Sequence, residues 1–221
     1  MGVISIAKFI SQNAGNRGRL LRQFARGLEW QLYKNLIRKP RTLTLPNGVK
    51  FRAYPDCVIS SALHYARWPE YAELQFCRRN LRPGDLVIDV GANVGHFSLL
   101  LGDLVGPRNL HCFEPTPISW RRLVENFVLN EWPTEKLFQC AVGRKPGTLQ
   151  FLDLDKPETT NCCQSSAYGK TVSVEMTALD EYAAKLDEGS VGLLKVDVEG
   201  YEREVFAGAD RLFRCIRPRP S

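Results

Sequence analysis

At 221 residues the chain has the length of one ordinary domain with a short appendage, and its 44% hydrophobic and 24% charged fractions suit a folded, water-facing protein. The net charge of +6 is unevenly placed. Residues 1–41 carry nine basic side chains against the single acid Glu29, net +8, which leaves the rest at −2 and gives no support to a nucleic-acid groove in the body.

Near the start, the apolar run Val3–Ile10 is interrupted by Ser5 and Lys8 and makes a poor signal peptide, and Ile6 stands where a myristoylation pattern needs Ser or Thr. No stretch reaches transmembrane length. Leu20, Leu21, Phe24, Leu28, Leu32 and Leu36 then recur at helical spacing between arginines, which predicts a basic amphipathic helix with Gly27 as a weak point. Its apolar stripe is expected to pack on the domain. The alternatives are a mitochondrial presequence, since residues 1–28 hold arginines and no acid, and peripheral membrane contact by residues 18–41.

Pro40 ends that helix. Leu43–Tyr54 reads as a hairpin turning at Pro46-Asn47-Gly48, residues 69–80 as a helix opened by Pro69, and Arg82-Pro83-Gly84-Asp85 as a turn. From Leu86 strands and helices alternate. Strands are expected at Leu86–Val90, Leu110–Phe113, Leu137–Val142, Thr148–Leu154, Thr171–Met176 and Val191–Val196. Helices are expected at His96–Leu104, Ile118–Asn130, Thr177–Leu186 (capped by Thr177) and Tyr201–Phe213, and a mobile loop at 156–169. Continuous apolar strands between helices predict an α/β fold, with a parallel sheet covered on both faces. The expected organisation is a basic leader (1–41), one domain (42–213) and an irregular tail (214–221).

The seven cysteines are odd in number and form no CxxC pair, which reads as reduced, mostly buried thiols in a reducing, cytoplasmic compartment without a metal site.

The strongest local signal is Val87-Ile88-Asp89-Val90-Gly91-Ala92-Asn93-Val94-Gly95. A buried strand ends in an acid, and a glycine bend opens a helix whose N-terminus suits an anionic group. Gly91 and Gly95 would let the backbone approach a ligand, and Asp89 can accept from an ammonium group. The next strand ends in Glu114, 23 residues beyond Gly91, where a carboxylate can accept from both ribose hydroxyls of an adenosine ligand. Asn93 stands where the dinucleotide fingerprint needs glycine, which disfavours a nicotinamide or flavin cofactor and leaves S-adenosylmethionine.

The run Asp89–Ser98 resembles the first motif of FkbM-family methyltransferases. Phe113-Glu114-Pro115, Ala141-Val142-Gly143 and Lys195-Val196-Asp197-Val198-Glu199-Gly200-Tyr201-Glu202 follow in that family's order, and the similarity spans roughly residues 65–213. The resemblance implies a Rossmann-like class I methyltransferase sheet preceded by the N-terminal helix and hairpin, with S-adenosylmethionine as methyl donor. It implies that Asp89, Gly91, Ala92, Asn93 and Gly95 frame the methionine end, Glu114 holds the ribose, Ala141 and Val142 flank the adenine, and Asp197 faces the transfer crevice. The implied acceptor is a hydroxyl on a small molecule or glycan, and a base would assist it. Asp197 is the first candidate base, with Glu199 and His96 next. His64 is a weaker candidate, and His111 is read as structural.

The chain departs from the family pattern after Phe213, where a fifth parallel strand and a closing antiparallel pair would follow. Pro218 and Pro220 exclude a central strand there, so the last strands are expected to be missing and the strand around Leu194 to have an unpaired edge. A shortened, non-catalytic product that binds cofactor or a partner is therefore the alternative function. A nucleic-acid methyltransferase is disfavoured because Asp197-Val198-Glu199-Gly200 stands where its Asn/Asp-Pro-Pro-Tyr block would be.

Overall fold

The computed structural model describes residues 3–152, 171–186 and 191–216; the expected loop at 156–169, Cys162, Cys163, Pro218 and Pro220 lie outside them. The chain divides into two units, residues 1–80 and 81–221, so the boundary expected at residue 41 falls inside the first.

In the first unit, helix α1 (Val3–Gln12) precedes α2 (Leu20–Leu36). Strands β1 (Arg41–Thr44) and β2 (Lys50–Ala53) form the expected hairpin, and helices α3 (Val58–Tyr65) and α4 (Tyr71–Asn80) follow. Helices α1 and α3 are additions to the sequence reading. Ile6 and Ile10, one turn apart, bury one face of α1.

Helix α2 corrects the sequence reading. Its buried residues are Gln23, Gly27 and Trp30, whereas Leu21, Phe24, Leu28, Leu32 and Leu36 are exposed. Gln23 Nε2 donates to the His64 carbonyl at 2.6 Å, and Trp30 Nε1 donates to Ser61 Oγ at 3.0 Å. A Cβ at Gly27 would lie 3.1 Å from Ile10 Cδ1 and 3.3 Å from Tyr65 Cδ1. Close approach of three helices, rather than hydrophobicity, selects the inward face.

In the second unit, β3 (Leu86–Val90), α5 (His96–Val105), β4 (Leu110–Phe113), α6 (Pro117–Val128), β5 (Leu137–Phe138), β6 (Ala141–Val142) and β7 (Gly147–Leu152) come first. Then follow β8 (Thr171–Thr177), α7 (Leu179–Ala183), β9 (Val191–Val196), α8 (Glu202–Phe206) and α9 (Asp210–Cys215). A parallel sheet has the order β5-β4-β3-β9, and a smaller sheet has the order β6-β8-β7. The expected strand at Leu137–Val142 is thus split between two sheets.

Alternation along β3 sorts its two faces. Leu86, Ile88 and Val90 join Leu179, Val205 and Leu212 in a buried cluster under α7, α8 and α9. Asp89 points the other way, towards Ser98 of α5. Fully burying a side chain such as Ile88 contributes about 1.5–3 kcal/mol.

One cap and one helix differ from expectation. Thr177 lies in β8 and α7 begins after Ala178, with no side-chain cap. The expected helix Tyr201–Phe213 is two helices parted near Gly208, where a Cβ would lie 2.4 Å from the Gly143 carbonyl oxygen. Asp180 Oδ1 accepts from the backbone N–H groups of Arg211 and Leu212 and so caps α9 from another element.

The start of the expected irregular tail is ordered: α9 runs to Cys215, and Ile216 forms a parallel bridge to Val191. Beyond that bridge, residues 192–196 of β9 are only partly buried.

Candidate active site

The bend after β3 is held by its neighbours on both sides. The N–H groups of Gly91 and Ala92 donate to the Phe113 carbonyl at 2.9 and 3.0 Å, and the Asp197 N–H donates to the Val90 carbonyl at 3.0 Å. Gly91 has φ +77°, and a Cβ there would sit 2.0 Å from the Asp197 carbonyl oxygen. Gly95 has φ +82° and caps α5, where a Cβ would meet Leu123 Cδ1 at 2.5 Å. Both glycines are thus required by contacts within the chain. Asn93 has φ +51°, a conformation Asn tolerates better than most residues.

Glu114 lies against this bend. Its Oε2 accepts from the Asn93 N–H at 2.9 Å and its Oε1 from the Thr116 N–H at 2.9 Å. The side chain is buried, and burial pushes its pKa above the ordinary carboxylate value, against the opposing pull of those N–H groups. Each oxygen keeps acceptor capacity for a ligand hydroxyl.

Sheet register sets a second group. Asp89 pairs with Cys112 on one side and with Lys195 on the other, so all three share a row and a face. Asp89 is fully buried; its Oδ2 accepts from Ser98 Oγ at 2.7 Å, and its Oδ1 lies 3.1 Å from Lys195 Nζ. The same ammonium lies 3.4 Å from Asp197 Oδ2 and 5.2 Å from the Phe97 ring centroid. Each Asp89 oxygen thus has a partner within the chain. Burial drives the Cys112 thiol far up, which makes it inert packing in this row.

Asp197 has 61% of its side chain exposed at the end of β9. Glu199 is exposed in the following turn at φ +40°, and His96 is buried in the first turn of α5. Ala141 and Val142 are buried and pair with Met176 and Thr177 in the smaller sheet. The structure therefore brings together Gly91 with Asp197, Asn93 with Glu114, and Asp89 with Asp197 through Lys195.

His64 belongs to the first unit. It stacks on Trp30 at 3.8 Å, its Nδ1 lies 2.6 Å from the Ser60 carbonyl, and its Nε2 accepts from Arg41 Nε at 3.2 Å. His111 is hydrogen-bonded to the Tyr182 hydroxyl.

Sequence reasoning passed over Lys195, Ser98 and Asn126. Asn126 Nδ2 donates to the Val94 carbonyl at 2.9 Å and steadies the bend from α6. In the sequence Lys195 is one letter of its motif, and only its register opposite Asp89 reveals its partner.

Among the described residues, no helix is long and apolar enough to cross a membrane.

Comparison with known proteins bears on this geometry. The family profile described as "Methyltransferase FkbM domain" matches residues 89–219. The chain is 30% identical to the 31-O-demethyl-FK506 methyltransferase FkbM of Streptomyces tacrolimicus, over 76% of this chain and 75% of that protein. It is 31% identical to methyltransferase sdnD of Sordaria araneosa, over 59% of this chain and 62% of that protein. It is 27% identical to the 2-O-methyltransferase NoeI of Sinorhizobium fredii (strain NBRC 101917 / NGR234), over 58% of each. The last two matches span less than two thirds of those proteins. With a matching profile over more than half its length, and a parallel sheet bearing the bend and the Glu114 carboxylate, the chain belongs to the FkbM methyltransferase family.

Proposed function

We propose that this chain binds S-adenosylmethionine beside the bend after β3 and transfers its methyl group to a hydroxyl oxygen of a small molecule or glycan. The observation that carries the reading is the buried Glu114 carboxylate, tied at 2.9 Å to the Asn93 N–H of the bend. It leaves acceptor sites for two ribose hydroxyls next to a backbone turn. Two relatives whose printed names specify O-methylation support an oxygen acceptor.

When bound, the sulfonium supplies an activated methyl group. Within the chain, Glu114 orients the ribose, and Gly91, Ala92, Asn93 and Gly95 shape the methionine end. Ala141 and Val142 would supply apolar contact to the adenine. Asp197, exposed at the strand end, would accept the hydroxyl proton as the acceptor oxygen bonded to the methyl carbon and the carbon–sulfur bond broke, its electron pair leaving with the neutral thioether S-adenosylhomocysteine. Lys195 holds that carboxylate in place; it acts through Asp197 and is a positioning residue. Glu199 and His96 are the next candidates for the proton. Much of the rate comes from alignment.

Cofactor binding without turnover is a second reading, favoured by the partly buried β9 that carries Asp197. Calorimetric titration with S-adenosylmethionine, followed by labelled-methyl transfer to hydroxyl compounds, tests both. Binding that Glu114→Ala weakens about 100-fold, together with transfer, supports the proposal. Binding without transfer to any acceptor favours the second reading, and absence of binding overturns both.

A further inference from the structure

The first unit turns its most apolar helical stripe outward. Leu21, Phe24, Leu28, Leu32 and Leu36 lie on one side of α2, roughly opposite the buried Gln23, Gly27 and Trp30. Leu21 is 88% exposed and Leu36 79%. Isolated exposed leucines need no explanation, but five along one helix face form a patch.

Beside that stripe the same unit holds a cavity of about 190 Å³, bordered by Arg19, Arg22 and Arg26 of the helix and by Arg67. Among the described residues, none of these four guanidiniums is ion-paired with a carboxylate. Glu29, the nearby acid, is engaged by both terminal nitrogens of Arg41. Burial, and then repulsion from Arg67, Arg22 and Arg41, lowers the pKa of Arg26. Like charges gathered round a cavity are relieved by an anion, and guanidinium forks match phosphate oxygens two at a time.

The stripe and the cavity together describe one surface. On a helical wheel the leucines occupy one arc, and Arg22 and Arg26 follow on its flank. An interfacial helix of this kind buries its apolar arc at the acyl boundary while its basic flank stays among the headgroups. A nucleic acid would satisfy the arginines and leave the leucines in water. An apolar protein groove would cover the leucines and leave the arginines unmatched. We propose that this face of the first unit docks on membranes rich in anionic phospholipid, with the stripe in the interface and the arginine-lined cavity taking a lipid phosphate. The proposal does not depend on the methyltransferase reading.

Co-flotation of the full chain with vesicles tests it, using phosphatidylcholine alone and phosphatidylcholine mixed with phosphatidylserine. The expected result is at least about tenfold tighter binding to the mixed vesicles, lost in Arg22→Ala/Arg26→Ala and, separately, in Leu28→Asp/Leu32→Asp. Far-UV circular dichroism and urea unfolding of the variants verify that they fold. Leu28 and Leu32 are 65% and 55% exposed, so Leu28→Asp/Leu32→Asp leaves the buried side of α2 unchanged. Equal binding to both vesicles overturns the proposal, as does unchanged binding by the arginine variant. Calorimetric binding of inorganic phosphate without flotation shows a free-anion site only and overturns the membrane source. Vesicle binding by the arginine variant restored in Arg22→Lys/Arg26→Lys, through charge without forked geometry, overturns the phosphate cavity.

Discussion

Lys195 on β9 and Asp89 on β3 form an ion pair at 3.1 Å although 106 residues separate them in the chain. The pair joins neighbouring strands one residue before the end of β3, and Asp89 has no exposed surface. Lys195→Met leaves a buried carboxylate with Ser98 as its remaining described side-chain partner. Removing one member of such a pair costs about 3 kcal/mol. The neutral pair Asp89→Asn/Lys195→Met should recover part of that loss, which urea unfolding of the double variant and of Asp89→Asn and Lys195→Met singly measures. If the double variant is as unstable as the sum of the single ones, the pairing does not stabilise the fold.

Glu114 gives the site a pH dependence of known sign. Burial raises its pKa in the folded chain, so this group contributes stability that is fully present below the unfolded carboxylate pKa and is lost as pH rises through the raised value. Ligand hydroxyls donate to the charged form and act the other way. Affinity for S-adenosylmethionine should therefore fall as pH drops through the raised Glu114 pKa. In the same window binding should release protons, detectable by calorimetry in buffers of different ionisation enthalpy. Glu114→Gln should abolish the release. A pH-independent affinity across that window is the contrary result.

The glycine bend, the carboxylate 23 residues later and the alternation of strands with helices were legible because each is a local pattern. Asp89 and Lys195 were legible only as motif letters, since their meeting depends on β3 and β9 becoming neighbours in register. The inward face of α2 was misread for a related reason. Gln23 is buried because the His64 carbonyl needs a donor, and Gly27 because Ile10 and Tyr65 crowd it; neither fact is local to the helix. Ile216 pairing with Val191 is likewise a consequence of where α9 delivers the chain.

Gly91 and Gly95 separate two costs that look alike in sequence. Both have positive φ, so alanine at either should cost about 1–2 kcal/mol through the backbone. At Gly95 the new methyl group meets the end of the buried Leu123 side chain, which can shift more readily than backbone. At Gly91 it meets the Asp197 carbonyl oxygen, which can move only with the end of β9. Gly91→Ala should therefore be the more destabilising by roughly 2 kcal/mol or more in urea unfolding, and it should also displace Asp197. Equal costs for the two substitutions contradict the close packing of the bend on β9.

His64 should make the first unit acid-sensitive. Burial, then nearby Arg41 and Arg26, lowers its pKa to about 3, while the unfolded imidazole titrates near 6.5. Because the folded pKa is depressed, the stability it contributes is present above pH ~6.5 and is lost as pH falls towards 3. By pH ~4 the loss is on the order of 3 kcal/mol. His64→Phe, which keeps a ring against Trp30, should flatten the dependence of stability on pH between ~6.5 and ~4, as measured by denaturant unfolding across that range. An unchanged slope points to other groups, His111 among them, whose pKa burial lowers to about 4.

Asp197 separates binding from chemistry. Its side chain is exposed and carries the Lys195 contact, while its backbone supports the bend through the Val90 carbonyl. Asp197→Asn preserves the backbone and the shape but cannot take a proton. Loss of a general base lowers kcat by about 100- to 10,000-fold. Affinity for S-adenosylmethionine should change less than about threefold, since the Asn93–Glu114 contact is untouched. The loss should shrink as pH rises and the acceptor hydroxyl ionises without help, whereas a purely positioning role would leave the ratio of wild-type to variant rates constant with pH. Full activity in Asp197→Asn moves the proton to Glu199 or His96, and the same pair of measurements on Glu199→Gln and His96→Asn then decides between them.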